Sequence, residues 1–407
     1  METGNRILAQ IRRPLRIDQL RMSGLYVHIP FCRQACHYCN FHFSTSIQSK
    51  FQVLEAMSEE LGLQKAYLSV QEHPNMHFGE KQSRLDTLYF GGGSPSLLTA
   101  AELETLFSRI HKHYSLPADA EITIEANPDD INTPLLESWR DLGINRVSLG
   151  IQSFSDVLLK KLNRIHNSQI AWSSLEKIRA LPLENVSIDL IYGIPGLEDE
   201  EWLSELKRIA SAGIPHISCY ALTVEPKTAL AHMIQKQRFE EPSQDQAARQ
   251  FLLMIDFLES EGYEHYEISN FAKPGWRSRH NSQYWQGACY LGVGPSAHSF
   301  NGDSRQWNVS NNIKYVQQIQ QGKVPYEREF LSPSMRYNEY IMTSLRTMEG
   351  CNPAFVQQQF GPERKETLLT LCGRFLEEDL LTWKMDHLIL TRKGKLYADG
   401  IAANLFA

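Results

Sequence analysis

The stretch Tyr26-Val27-His28-Ile29-Pro30-Phe31-Cys32-Arg33-Gln34-Ala35-Cys36-His37-Tyr38-Cys39-Asn40-Phe41-His42-Phe43 decides how the rest of the chain is read. A short apolar run leads into Cys32, Cys36 and Cys39, a C-x3-C-x2-C array on one loop. Three thiolates so spaced can grip three corners of a cubane iron–sulfur cluster, for which cysteine is the usual ligand. The loop has no fourth cysteine, so one iron would be open, and an open position at a metal is where a small molecule can bind. The rival is a closed Cys3His zinc site completed by His28, His37 or His42. The spacing departs from paired zinc knuckles, and a zinc staple has no need of a barrel mouth. The cluster is the preferred reading.

Outward from this loop, short runs rich in Val, Ile and Tyr alternate with helical patterns. Strands are predicted at 25–29, 87–90, 121–126, 146–150, 186–192 and 216–222, each stopped by Gly, Pro, Asn or polar residues. Helices are predicted at 51–70, 100–113, 133–142, 168–180 and 200–212, where apolar residues recur near helical spacing. Six alternations call for an α/β fold, a partial (β/α)6 TIM-type barrel with its helices outside. The strand ends carry Cys32, the run Gly91-Gly92-Gly93-Ser94-Pro95, then Glu125 with Asn127 and Pro128, then Gln152 and Asp189. The carboxyl ends of parallel barrel strands are where loops converge into a site. One polar position per strand end suits a ligand lying across the mouth.

Past about residue 225 the alternation stops. A helix at 244–262 leads to a strand at 263–271, to Arg279-His280-Asn281-Ser282-Gln283-Tyr284-Trp285, and to an irregular loop at 292–300. Helical patterns at 335–348, 354–360 and 363–377, a hairpin at 380–383 and 387–390, and a tail at 392–406 suggest a mostly helical, winged-helix-like unit. Glu363, Glu366, Glu377, Glu378 and Asp379 spoil a basic face, so a packing or lid module is expected rather than a DNA reader. The expected division is an arm at 1–23, a barrel at 24–262, a connecting segment at 263–329 and a C-terminal domain at 330–407.

Bulk properties narrow the class. The 407 residues are 42% hydrophobic and 22% charged with net charge -6, which fits a globular chain without a large nucleic-acid footprint. No apolar run would span a bilayer. Seven cysteines, three of them clustered, do not form a secreted disulfide framework; Cys219, Cys289, Cys351 and Cys372 read as buried thiols in a reducing compartment. The first residues interleave Arg6, Arg12, Arg13, Arg16 and Arg21 with apolar positions, but Glu2, Asp18 and scarce serine argue against an organellar leader. The cytoplasm is the expected location.

The cysteine loop after the first strand, with Tyr26 ahead of it and Tyr38 before the third cysteine, resembles the radical SAM superfamily. The glycine run, Glu125, Gln152, Arg164 and Asp189 narrow the likeness to the branch of oxygen-independent coproporphyrinogen III oxidase, from about residue 24 to the end. The resemblance implies a 4Fe-4S cluster on Cys32, Cys36 and Cys39, with S-adenosylmethionine on the open iron. Tyr26, Tyr38, Gly92, Gly93, Ser94, Glu125, Gln152, Arg164 and Asp189 would line that cofactor, Ser94 standing where the family usually has Thr. Glycines allow close backbone approach, Glu125 can offset a cation, Gln152 and Asp189 can bond ribose hydroxyls, and Arg164 can pair with the carboxylate.

Two departures redirect the reading. The oxidase carries a fourth cysteine two residues past the third, where this chain has Phe41, and it has a longer arm before the cluster. Both resemble instead the sister family of radical SAM haem chaperones. The Arg279-His280-Asn281-x-x-Tyr284-Trp285 motif is similar to that family's haem signature, and neutral imidazole is a good axial ligand to haem iron. His280 is therefore the expected haem ligand, with His298 a weaker second candidate. The implied partners are haem and haem-accepting proteins, respiratory or other, and no nucleic acid. A homodimer is expected from family likeness alone. The alternative is the oxidase reaction, radical decarboxylation of coproporphyrinogen III.

Overall fold

The structure, a computed structural model, describes residues 23–68 and 82–407. The expected N-terminal arm, up to residue 22, and the last residues of the first expected helix lie outside the described residues. Six strands lie parallel and adjacent in chain order: β1 (Ser23–Ile29), β2 (Thr87–Gly92), β3 (Glu121–Ala126), β4 (Arg146–Gln152), β5 (Asn185–Tyr192) and β6 (His216–Ala221). The crossovers carry α1 (Lys50–Leu63), α2 (Ala100–His113), α3 (Thr133–Asp141), α4 (Asp156–Lys161), α5 (Ser168–Arg179) and α6 (Asp199–Ser211). Local chemistry sets their starts. Thr99 and Glu102 form a reciprocal capping box on α2, and the Asn132 and Asn167 side chains cap α3 and α5. On α2 the buried residues Leu103, Leu106, Phe107 and Ile110 recur every three or four positions, one apolar stripe laid on the sheet.

The two faces of the strands differ sharply. Phe90, Ile124, Leu149, Ile188 and Ile217 belong to the core beneath the helices. The alternate positions share one lumen-facing surface in continuous register: Tyr26 beside Tyr89, Thr123 beside Arg146, Ser148 beside Ser187, Asp189 beside Ser218. A TIM barrel is ordinarily filled by branched apolar side chains. This lumen is largely polar.

The sheet extends beyond the expected six strands. Two more helices, α7 (Ala229–Gln235) and α8 (Gln244–Ser260), precede β7 (Glu264–Glu267) and β8 (Asn270–Ala272), with β8 antiparallel to β6. Beyond α9 (Arg279–Trp285), β9 (Cys289–Val293) pairs parallel with β1, and β10 (His298–Phe300), β11 (Ser304–Asn308) and, after α10 (Asn312–Ile319), β12 (Tyr326–Phe330) follow antiparallel. The order of this twelve-stranded sheet is β12-β11-β10-β9-β1-β2-β3-β4-β5-β6-β8-β7, an open barrel. The expected irregular loop at 292–300 is thus the end of one strand and the whole of another. Its glycines hid the pattern: a Cβ on Gly292 would stand 2.1 Å from the His298 carbonyl oxygen, so close strand approach excludes a side chain there. The single strand expected at 263–271 is a bulged pair of short strands. Helices of seven or eight residues, such as α7, α9 and α10, are too short for periodicity to reveal.

The C-terminal elements are α11 (Pro333–Leu345), α12 (Pro353–Phe360), α13 (Pro362–Glu377), the hairpin β13 (Leu381–Lys384) and β14 (His387–Leu390), α14 (Arg392–Lys395) and α15 (Ala398–Asn404). They gather a second apolar core around Tyr337, Ile341, Val356, Leu368 and Leu388. Among the described residues no helix is long and apolar enough to cross a membrane.

Candidate active site at the barrel mouth

The cysteine loop is tied down at its neck and along its length. The Cys32 amide donates to the Ser44 carbonyl at 3.0 Å and the Ser44 amide to that of Pro30 at 2.9 Å, closing the loop where it leaves β1. Farther along, the His37 amide donates to the Leu162 carbonyl, and Arg33 pairs with Asp130 at 2.7 Å. Cys32, Cys36 and Cys39 are half-buried and unpaired by disulfides. Burial pushes the Cys32 thiol up to about 11 and raises that of Cys39.

Among the described residues no three His, Cys, Asp or Glu side chains converge on a single ion. The three histidines of the zinc reading are engaged elsewhere: His28 with the Tyr26 hydroxyl and the His42 carbonyl, His37 with the Lys161 carbonyl, His42 with Asn312. A cubane places its three thiolates on three different irons, so this loop suits a cluster better than one zinc ion.

The facing wall comes from the strand ends. Gly92 sits at φ 107°, a conformation that disfavours any side chain, and a Cβ there would lie 2.6 Å from the His28 ring. This turn aims the Gly92 amide at Glu125 Oε2, 3.0 Å away, while the Tyr89 hydroxyl donates to Oε1 at 2.8 Å. Burial pushes the Glu125 carboxyl up to about 7, opposed by these two bonds. The Asp189 carboxyl is likewise raised by burial. Arg164 is the cross-tie: its Nη2 donates to Asn127 Oδ1 at 2.6 Å and to the Gly150 carbonyl at 2.7 Å, and its Nη1 to Cys36 Sγ at 3.3 Å. Asn127 in turn donates to Ser94 Oγ at 2.7 Å. Gln152 and Asn163 hold positive φ, 73° and 61°, beside this wall.

These groups enclose a cavity of about 430 Å³, lined by the three cysteines, Tyr38, Gly92, Gly93, Ser94, Glu125, Gln152, Arg164 and Asp189. Tyr26, expected there, stands one layer lower in the lumen, bonded to His28 and with its ring 5.9 Å from that of Tyr89. The reason is register: Tyr26 pairs with Tyr89, two residues before the glycine turn. The sequence places Asn127 among the polar strand-end residues without assigning it a ligand, and does not point to the rim residues Ile165 and Tyr220. Only Asn127 left a signal, as the polar residue following β3 immediately before Pro128.

His280 lies at the opposite end of the barrel. Ser278 caps α9 and sends His280, 1% exposed, under the amino ends of β1 and β2. Its Nδ1 is 2.7 Å from Thr87 Oγ1 and its Nε2 2.8 Å from the Tyr284 hydroxyl, so both ring nitrogens are occupied. Burial pushes the imidazole down to about 3, keeping it neutral. Trp285 is covered by Arg346, 5.4 Å from its ring. His298 is exposed, with its ring 6.2 Å from that of Trp307.

An open parallel barrel with a three-cysteine loop at its carboxyl-end mouth is the architecture of a radical SAM protein, and the model of the Radical SAM superfamily matches residues 26–209. Two relatives named heme chaperone HemW match almost end to end. The one from Mycobacterium tuberculosis is 34% identical over 94% of this chain and 94% of its own. The one from Bacillus subtilis is 31% identical over 93% and 98%. This chain belongs to the HemW family. The coproporphyrinogen III oxidase HemN of Escherichia coli, a radical SAM enzyme, superposes with a TM-score of 0.80 at 24% identity, covering 99% of this chain and 93% of its own, and so shares the fold. Superfamily membership brings a 4Fe-4S cluster and S-adenosylmethionine. The cavity fits both, with thiols on one wall and glycine backbone, carboxylates and a guanidinium on the other.

Proposed function

We propose that this chain binds haem and passes it to acceptor haem proteins, with a cluster and exchangeable S-adenosylmethionine at the barrel mouth. The observation that carries this reading is Phe41. It stands 67% exposed on the cavity rim, where the oxidase has its fourth cysteine. In the mouth, Cys32, Cys36 and Cys39 would hold the cluster, and Arg164 would pair with the methionine carboxylate. Glu125 would face the ammonium or sulfonium, and Gln152 and Asp189 the ribose hydroxyls. When bound, the pair supplies an open iron and the means of making a 5'-deoxyadenosyl radical. The protein's part is to orient the ligand and shield it: Tyr38 and Ile165 border the cavity, and the Asn127–Arg164 tie fixes one wall against the loop.

We keep His280 as the haem ligand, and the geometry then sets a condition. Either Thr87 or Tyr284 must release a ring nitrogen, and α9 must move from beneath β1 and β2, before iron can reach it. The exposed His298 beside Trp307 is the other imidazole to test. In a haem titration, His280→Ala is expected to lose most of the Soret band and His298→Ala to keep it; the reverse result moves the site to His298. Beside it, anaerobic reduction with S-adenosylmethionine and coproporphyrinogen III is expected to give no protoporphyrinogen. Robust product would support the oxidase reading instead. Haem-accepting partners, a cytoplasmic location and a homodimer complete the proposal, supported by family likeness.

A further inference from the structure

The lower lumen holds a charge that the cofactor reading does not use. Arg146, the first residue of β4, is 1% exposed, and its buried Nε and Nη1 have no hydrogen-bond partner. Its register neighbour on β3, Thr123, is fully buried with an equally unpartnered hydroxyl. The other polar groups at this level are committed. Glu121 accepts the amides of Arg279 and His280, and His216 bonds Ser187 and Tyr266. A buried cation is costly unless something compensates it.

Two compensations are open to such a group, a bound anion or fixed carboxylates. Counted together with the cavity above, the lumen sets Glu121, Glu125 and Asp189 against Arg146 and Arg164, so a free anion would meet more negative than positive charge. Fixed carboxylates are the better match. Glu125 lies two residues beyond Thr123 on β3, and Asp189 pairs with Gly150, four residues beyond Arg146 on β4. The compensation acts through charge across the lumen, since the Arg146 Nε and Nη1 bond neither carboxylate.

We infer that Arg146 is a positioning residue for the cofactor cavity, the buried counter-charge that keeps Glu125 and Asp189 ionised toward a cationic ligand above them. The inference rests on the S-adenosylmethionine reading of the mouth and is independent of haem. Burial drives both carboxyls toward the neutral form, and the Arg146 charge acts on each in the opposite sense. The other groups facing Glu125 are the Tyr89 hydroxyl and the Gly92 amide, which bond it, Asp189, whose charge opposes its ionisation, and Tyr26, Tyr284, Tyr220 and Cys39, which sense its charge. Asp189 is faced by the Ser148 and Ser218 hydroxyls, by Arg164, which favours its ionisation, and by Tyr220 and Cys219. Arg146 is the cation set beneath this group. It touches no ligand itself.

The test is equilibrium dialysis of S-adenosylmethionine against the full, cluster-reconstituted chain between about pH 6 and 9. For Arg146→Gln the affinity is expected to fall about tenfold at neutral pH, with the midpoint of its pH profile moved up about one unit and binding recovered at the alkaline end. Arg146→Lys, which keeps the charge, and Thr123→Val, which removes only the neighbouring hydroxyl, should hold the wild-type midpoint. Equal loss in the Gln and Lys variants, or a Gln profile lowered without moving its midpoint, overturns the inference. So does a Thr123→Val profile shifted like that of Arg146→Gln. Wild-type protein that carries its cluster but binds no S-adenosylmethionine overturns the cofactor reading itself.

Discussion

Glu125 shows how a single side chain acquires its task from its surroundings. The residue was legible as a carboxylate at a strand end; its two orienting donors were not, because Tyr89 and Gly92 meet it only across the strand register. Its carboxyl titrates near 7 in the fold, above the usual carboxylate range, because burial disfavours the charge. A raised carboxyl contributes stability that is whole below its unfolded value and is lost as pH rises through the folded one. Glu125→Gln in cluster-free protein is therefore expected to raise the thermal midpoint at mildly alkaline pH and to change it little in acid. In reconstituted protein the same variant should weaken S-adenosylmethionine binding by about 2 kcal/mol, the scale of a lost charge-assisted hydrogen bond, as read by dialysis. Gly92→Ala tests the turn. With φ at 107° and the His28 ring in the way, it should cost about 1–3 kcal/mol and lower the denaturation midpoint. The cysteines needed no structure to be seen. Arg146 did, since a lone Arg beginning a strand looks in sequence like any exposed strand end.

At the scale of elements, the strands of the parallel barrel were legible because Val and Ile alternate with polar residues and turn residues punctuate them. The β9–β10 return was not, since Gly292 and Gly294 erase the alternation where the chain packs tightest. Helix α9 is the instructive case. Its residues were read as a haem motif, and the fold makes of them a capped helix whose His280 is bonded on both sides beneath the barrel. Two outcomes follow from that placement. His280 is held neutral down to about pH 3, below its unfolded value, so its contribution is whole above about pH 6.5 and fades as pH falls toward 3. By about pH 5 the loss amounts to roughly 2 kcal/mol, and His280→Gln should flatten the acid limb of a stability profile. Tyr284→Phe removes the hydroxyl competing for Nε2. If that nitrogen binds iron, haem affinity should rise about fivefold for the one hydrogen bond no longer to be broken, measured by Soret titration.

The whole molecule is an open, twelve-stranded sheet whose lumen is polar from the α9 plug to the cysteine mouth. Such a lumen gives up the apolar packing that fills most barrels. Its apolar packing lies instead in the layer beneath the surrounding helices and in the separate C-terminal core. Sequence pattern found the barrel and much of the cavity wall, because Gly92, Gly93, Ser94, Glu125 and Gln152 sit at or just past strand ends; Arg164, after α4, and Tyr38, on the cysteine loop, are legible only through the family resemblance. It could not show that the mouth and the histidine motif occupy opposite ends, since that distance is set by tertiary packing. The separation shapes the proposal: the mouth would hold the cofactors, with Phe41 on its rim, and haem would be taken up at His280 at the other end. The most direct test titrates haem into the reconstituted protein and then adds the apo form of a haem protein, following the Soret band throughout. The account predicts saturation at a single haem per chain, followed by transfer to the acceptor. A titration that never saturates, or a bound haem that never leaves, would contradict it.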